Sequence, residues 1–294
     1  LAGSLMKVCV LGAGGLLGHM LIRVLSESSD VFGTTREEAS DSSPLAKFLP
    51  QEKWISQVDA SNSDSVKKIF HQSQFDVLIN CIGLIKQRDS LVSDSEMMAI
   101  NGEFPHRLAQ IANSHGTRII QISTDCVFSG SKGNYLESDT PDPVDVYGKS
   151  KLRGELNDSR NLTLRTSHIG RELTVKKSFI EWLISQKGGH VAGYSHAIYS
   201  GLTTRAFATT LSKLLLGNSH LTGLFHVSSQ PISKLEIINK LNNLLDLQLT
   251  VTPDDSVQIN RSLNSEKFQK ATSITPQTWD EMLSDFCEDQ KTYE

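Results

Sequence analysis

Four cysteines, at positions 9, 81, 126 and 287, are all that the 294 residues contain. They form no Cys-x-x-Cys pair, and their spacing suits neither a disulfide framework nor a zinc site. Cys9 and Cys81 sit inside apolar strand patterns, where cysteine behaves as a small buried hydrophobe. This usage fits a reducing compartment, so a cytoplasmic location is expected. Nine histidines make no His-x-x-x-His pair and no Cys/His cluster, so metal chemistry has no local support and no metal is expected. No stretch approaches the roughly 20 apolar residues of a membrane span. A charge excess is also missing. The formal net charge of -4 argues against a nucleic-acid or anionic-membrane surface. There are no internal repeats or low-complexity tracts to suggest a solenoid or a disordered chain.

What remains is an ordinary globular composition, 38% hydrophobic and 21% charged, long enough for one large domain with a smaller lobe. Residues 1–4 (LAGS) precede Met6, which reads as the natural start, and are expected to be an expression remnant. Met6 to Leu11 is an apolar run, followed at once by Gly12, Gly15 and Gly18, three apart, with an additional Gly14. A helix then carries its apolar face through Leu21, Ile22 and Leu25. Glycines between a strand and a helix permit a tight turn, close approach of backbone to a pyrophosphate, and close helix–strand packing. The helix N-terminus adds free N–H groups and a positive dipole end. Placed directly after the first strand, residues 12–18, with Leu16 and Leu17 among them, point to a dinucleotide site rather than an ordinary turn.

The second strand is expected over Asp30–Thr35, closing on Arg36. A carboxylate at this strand end holds a ribose 2′-hydroxyl, whereas an arginine suits a 2′-phosphate. Arg36 therefore leans the cofactor toward NADPH, while Glu37 and Glu38 keep NADH open. A third short strand is expected to end at Val58-Asp59, Val66–Phe70 is helical, and Phe75–Asn80 is a fourth strand. Glu96–Ser114 reads as one long helix with Met98, Phe104, Leu108 and Ile111 on its apolar face, and with Pro105 as a kink or a helix start.

The strand over 117–123 delivers Ser123 and Thr124. A loop rich in Gly, Ser, Asp and Pro follows, then a helix carrying Tyr147 and Lys151. Residues i and i+4 share a helix face, so a phenol and an ammonium can occupy one small volume, and the ammonium is expected to lower the phenol pKa. An unperturbed phenol near pKa ~10 is a poor proton-transfer group at neutral pH. Thr124 can add a hydroxyl toward the same substrate oxygen. Such a pair is also common on exposed helices; its weight comes from the order of glycine turn, strand ending in Ser/Thr, then Tyr and Lys. Leu162–Arg165 is a sixth strand, and the alternation predicts an α/β, Rossmann-type doubly wound parallel sheet. The expected division is a Rossmann domain over 6–170 and a mostly substrate-binding, smaller mixed α/β lobe over 171–294, some segments of which return to the core. Lys176–Gln186 is a helix whose Phe179, Trp182 and Leu183 read as core.

In these features the chain resembles the extended short-chain dehydrogenase/reductase family, and within it the dTDP-4-dehydrorhamnose reductase type. The resemblance rests on the glycine turn, STDCVFSG at 123–130, the Tyr-x-Glu-x-Asp-x-Pro element at Tyr135–Pro141, YGKSKLRGE at 147–155 and RTSHIG at 165–170. It implies Thr124, Tyr147 and Lys151 as catalytic residues. On the cofactor side it implies Asp59 and Ala60 near the adenine, then Asn80, Cys81, Ile82 and Gly83 along the diphosphate and nicotinamide ribose. Asn101, from the helix behind the active site, Ser123, Tyr147 and Lys151 complete that set, Lys151 on the nicotinamide ribose. The segments 193–208 and 261–268 resemble substrate-side elements. The substrate residues implied are Thr124, Asp125, Cys126, Phe128, His168, Ser200, Arg205 and Arg261, the two arginines being candidates for a diphosphate.

The activity implied is NADPH-dependent reduction of the 4-keto group of a nucleotide-diphosphate 6-deoxysugar. Cys126 stands where rhamnose-type reductases commonly carry a tyrosine, and it cannot stack on a sugar ring. A UDP-linked 2-acetamido-2,6-dideoxy-hexulose is therefore an alternative substrate, consistent with the GLIK (83–86), NGEFPH and SGLTT segments, which look like those of relatives in surface-polysaccharide loci. A nucleotide-sugar epimerase and a non-catalytic NADP-binding regulatory subunit are further alternatives. A dehydratase is disfavoured because Asp125 is followed by Cys126 rather than a second acid. A homodimer is allowed, with no nucleic-acid or membrane partner.

Overall fold

The structure, a computed structural model, describes residues 5–85 and 92–293; LAGS and Lys86 of the GLIK segment lie outside the described residues. The first half runs through β1 (Lys7–Leu11), α1 (Gly18–Leu25), β2 (Asp30–Thr34), β3 (Trp54–Ile55), α2 (Ser63–Gln72) and β4 (Val77–Asn80). Next, α3 (Asp94–Met97) passes through a π-helical segment, Met98–Glu103, into α4 (Phe104–Ser114), followed by β5 (Arg118–Thr124), α5 (Val146–Arg153) and β6 (Leu162–Thr166). Then come β7 (His168–Ile169), α6 (Phe179–Ser185), β8 (His190–Tyr199), β9 (Leu202–Thr203), α7 (Thr204–Gly217) and β10 (Gly223–His226). The chain closes with β11 (Ile232–Ser233), α8 (Lys234–Leu244), β12 (Thr250–Asn260), α9 (Glu266–Thr272) and α10 (Trp279–Glu288).

Seven strands form one sheet in the order β10-β6-β5-β4-β1-β2-β3, every pairing parallel. Because β1 pairs with both β2 and β4, the order of strand addition reverses there, and the crevice at the carboxyl ends of β1 and β4 is where such sheets take ligands. Both faces of the sheet are covered. Val8 and Val10 of β1 join one core with Leu21 and Ile22 of α1 and Leu211 and Leu214 of α7. Cys9 and Leu11, pointing the other way, join a second with Ile69 of α2 and Leu108 of α4. Each such aliphatic side chain contributes roughly 1.5–3 kcal/mol by leaving water. A smaller sheet, β11-β8-β12, lies in the second half of the chain.

Three expectations change. The third strand covers only Trp54–Ile55, because Gln57 takes φ +58 and ends the ladder, although Val58 N–H still reaches Thr35 O at 3.0 Å. The helix expected over 96–114 contains the π-helical turn: Pro105 offers no N–H to an earlier carbonyl and sits in the first turn of α4, directly after it. Trp182 is 42% exposed, so the stripe on α6 is only partly core.

Candidate functional site

The glycine turn forms first. Gly12 has φ +78, its N–H donates to Thr34 Oγ1 at 3.2 Å, and its carbonyl accepts Gly15 N–H at 3.0 Å. A Cβ added to Gly18 would lie 2.1 Å from Gly12 O, so only glycine lets α1 begin against the end of β1. Gly14, by contrast, is exposed, and a Cβ there would meet nothing within 4 Å, leaving its backbone open to a ligand. Gly15, Leu16 and Leu17 form one wall of a cleft, Asn80, Cys81, Ile82, Gly83 and Ile85 a second, and Ser123, Tyr147, Lys151 and His168 close it.

The catalytic candidates are held by packing between α5 and the end of β5. Asp145 caps α5 by accepting Gly148 N–H at 2.7 Å, and a Cβ on Gly148 would lie 2.2 Å from Cys126 O. That approach seats Tyr147 beside Thr124, whose hydroxyl bonds the phenol. Thr124 Oγ1 also donates to Asp125 Oδ1 at 3.1 Å and accepts Cys126 N–H at 3.2 Å. Lys151, buried, donates to Ile122 O at 2.6 Å. Burial lowers its pKa to about 8, against the raising influence of Cys81 and Glu155. The expected depression of the phenol by Lys151 is not what governs Tyr147. Burial holds Tyr147 well above its ordinary range, Cys126 adds to this, and the Thr124 hydrogen bond opposes it.

Several residues assigned to the cofactor also shape the walls through bonds of their own. Asn101, on the π-helical turn, spends its amide on Leu84 N (2.8 Å), Leu84 O (2.9 Å) and Ser150 Oγ (3.1 Å), tying the 80–85 segment to α5. Asn80 donates to Gln121 Oε1 and accepts Ile82 N–H, so it shapes the wall from inside. Ser123 Oγ donates to Glu155 Oε1 at 2.6 Å; Glu155 in turn is gripped by Arg165 through Nε (2.7 Å) and Nη2 (2.8 Å), a buried two-pronged pair. Ala60 is buried, and its carbonyl accepts Arg107 Nη2.

At the adenine end Arg36 is exposed and acts electrostatically on Asp59. Asp59 is held below the usual carboxylate range by hydrogen bonds from Ser61, with a smaller contribution from Arg36. Glu38 accepts from Gln57 Nε2 at 2.8 Å, and Glu37 is exposed with its carbonyl accepting Thr35 Oγ1.

The substrate-side set divides. Asp125, Cys126 and Arg261 lie together beside Thr124: Cys126 Sγ donates to Asp125 Oδ1 at 3.6 Å, and Arg261 Nη1 lies 3.5 Å from Cys126 Sγ. Burial raises the Asp125 pKa and pushes the Cys126 thiol up to about 12. His168 reaches the cleft, where its Nδ1 is buried without a hydrogen-bond partner among the described residues; burial and Lys151 lower its pKa to about 4, so the ring is neutral. Three other residues named for the substrate are engaged by the fold. Phe128 is fully buried, stacked on Tyr135 at 4.1 Å beneath the Arg165 guanidinium, and cannot face a sugar. The Ser200 hydroxyl is buried and accepts Leu263 N–H at 2.8 Å. Arg205 pairs with Asp289 at 2.6 Å, an acid it shares with Arg23, and is committed to holding α7 against the C-terminal segment.

Sequence reasoning missed Ile85 in the wall, the Glu155–Arg165 support, and Lys234, whose ammonium lies over the Tyr199 ring. Glu155 lies inside the YGKSKLRGE stretch and could have been suspected; for Lys234 the only local signal is the capping box at Ser233 and Glu236, which marks a helix start and not a site.

The chain is 31% identical over 240 residues, 76% of this chain and 75% of the relative, to the probable low-salt glycan biosynthesis reductase Agl14 of Haloferax volcanii. It is 25% identical to the dTDP-4-dehydrorhamnose reductase of Aggregatibacter actinomycetemcomitans over 308 residues, covering 94% of this chain and 97% of that one. Its fold matches the crystal structure of dTDP-4-dehydrorhamnose reductase from Bacillus anthracis in complex with NADP, with a TM-score of 0.80 at 21% identity over 97% of this chain and 99% of that one. The RmlD substrate binding domain family matches residues 6–292, nearly the whole described chain, and the protein belongs to that family.

Proposed function

We propose that the protein is an oxidoreductase that uses NADPH, with NADH as a second choice, to reduce the 4-keto group of a nucleotide-diphosphate 6-deoxysugar, as a dTDP-4-dehydrorhamnose reductase does. The observation that carries this reading is the convergence of Tyr147 and Lys151 on one cleft with the glycine turn of 12–18, with Thr124 bonded to the Tyr147 phenol. The residues present suit the cofactor: a turn with open backbone at Gly14, a helix N-terminus behind it, and Arg36 at the end of β2 for a 2′-phosphate. When bound, NADPH supplies the hydride. Thr124 and Tyr147 hold the substrate carbonyl oxygen between two hydroxyls, and the phenol passes its proton to that oxygen as it becomes an alkoxide. Lys151, buried and lining the same cleft, supplies a positive charge there against the negative charge that the transfer leaves on the phenol. Neutral His168 offers an unspent ring nitrogen at the same cleft.

A UDP-linked 2-acetamido-hexulose is the second reading, favoured by Cys126, which lies beside Thr124 and cannot stack on a sugar ring as a tyrosine would. The test follows NADPH absorbance with a panel of dTDP- and UDP-linked 4-keto-6-deoxysugars. Sugar-dependent loss of absorbance is expected. Absence of any such loss across the panel overturns the reading. If the acetamido sugar is reduced at least as well as the dTDP sugar and Cys126→Tyr reverses that order, the second reading holds.

A further inference from the structure

The buried residues of α1 are Gly18, Met20, Leu21, Ile22, Leu25 and one polar side chain, His19. His19 is fully withdrawn from water, so both ring nitrogens must be satisfied inside the protein. Nδ1 lies 2.8 Å from Gly15 O, one turn back, and that carbonyl also accepts the His19 backbone N–H at 3.2 Å. A carbonyl can only accept, so Nδ1 carries the hydrogen and Nε2 is left as an acceptor. The group that meets Nε2 comes from the far end of the chain: the Tyr293 hydroxyl, 2.7 Å away, donates to it. Burial and then Asp289 push that phenol up to about 12, so it keeps its hydrogen, while burial lowers the His19 pKa and keeps the ring neutral.

Tyr293 is delivered by a 3₁₀ turn, Asp289–Thr292, that both halves of the chain hold. From the first half, Arg23 of α1 pairs with Asp289 at 2.8 Å, and Lys47, between β2 and β3, donates to Thr292 O at 2.6 Å. From the second half, Arg205 shares the same Asp289 oxygen. Arg171 bonds Gln290 and lays its guanidinium 5.3 Å from the Tyr293 ring centroid. The segment thus reaches the glycine turn through one hydroxyl.

Gly15 lines the cleft next to Leu16 and Leu17. In a trans peptide the N–H points opposite to the carbonyl of the residue before it. Holding Gly15 O against His19 therefore aims the Leu16 N–H out of the N-terminal end of α1, the direction from which a diphosphate approaches. We propose that His19 is a positioning residue for the diphosphate of the dinucleotide, and that Tyr293 holds His19 in the tautomer this requires. The inference rests on the dinucleotide reading above and extends it: the segment after α10 takes part in cofactor binding without touching the cofactor.

Tyr293→Phe keeps the ring against Arg171 and edge-on to His19, and removes the hydroxyl alone. Its Kd for NADPH, by fluorescence titration, should rise about two- to tenfold, the scale of one neutral hydrogen bond. Its Kd for 2′-AMP, which has the adenosine and the 2′-phosphate but no diphosphate, should match the parent's. KM for the sugar at saturating NADPH should also be unchanged, and it decides alone where 2′-AMP binds the parent too weakly to compare. His19→Leu leaves no donor and should weaken NADPH at least as much. His19→Asn keeps a donor toward Gly15 O that needs no tautomer held, so it should lose less. Adding Tyr293→Phe to either should cost nothing more, because the two residues act as one unit. If the His19 variants are poorly folded, Tyr293→Phe decides. Equal weakening of NADPH and 2′-AMP, or of neither, reduces the contact to packing and overturns the proposal while leaving the dinucleotide reading in place. Failure of the parent to bind NADPH or NADH overturns both.

Discussion

The two walls of the cleft were assembled by different means. On the cofactor side, Gly12, Gly18, Thr124, Tyr147 and Lys151 belong to short segments whose positions follow from the strand–turn–helix unit that contains them. On the substrate side, side chains of the expected polar type are often consumed by the fold. Ser200 is bonded to Leu263, 63 residues away, and Arg205 to Asp289, 84 residues away. A motif placed by the local geometry of a parallel sheet transfers well between sequences, because the sheet leaves little choice. A lone arginine on α7 does not, because a buried carboxylate elsewhere can claim it.

The largest test of this contrast is Tyr147→Phe, which removes the phenolic proton and leaves the packing of α5 in place. Turnover should fall by roughly 10²- to 10⁴-fold, with NADPH binding retained in a fluorescence titration. A variant working near the parent rate would remove the cofactor wall from the chemistry. Next, Arg36→Ala should raise KM for NADPH about ten- to a hundredfold, the value of a charged hydrogen bond, and leave KM for NADH little changed. Equal effects on both cofactors would reduce Arg36 to a loop residue.

Lys151 provides a pH test of the same wall. Its folded pKa, about 8, lies below the ordinary lysine value of 10.5, so above pH 8 the unfolded chain binds this proton more tightly. Native stability should therefore rise with pH between about 8 and 10.5, by at most about 1.4 kcal/mol per pH unit, relative to Lys151→Met measured over the same range by chemical denaturation. A flat difference would mean that the ammonium is not desolvated.

The smallest effect is expected at Arg205→Ala. Asp289 keeps Arg23 as a partner, and Arg205 is about a third exposed, so the loss should be about 1 kcal/mol or less, with no change in KM for the sugar. A rise in that KM would return Arg205 to the substrate and break the comparison between the two walls.

Much of the fold was legible because periodicity carries it. Apolar residues alternate along β1 to feed both cores, glycine punctuates the first βα turn, and the i, i+4 register brings Tyr147 and Lys151 to one cleft. The third strand was misplaced because the positive φ of Gln57 is not a feature of its residue type. The pKa of Tyr147 was misjudged for a similar reason: the spacing places an ammonium nearby but says nothing of how deeply the phenol is withdrawn from water.

From residue order alone came the parallel α/β sheet, the glycine turn and the Thr–Tyr–Lys set, since each depends on contacts within one strand–turn–helix unit. Tertiary structure alone decided the rest. It buried Phe128 under Arg165, took Ser200 and Arg205 for packing, brought β10 to the edge of the main sheet, and laid the Lys234 ammonium over the Tyr199 ring. Those outcomes depend on which distant group reaches a buried charge or hydroxyl first, and that is a property of the packed chain rather than of any local stretch.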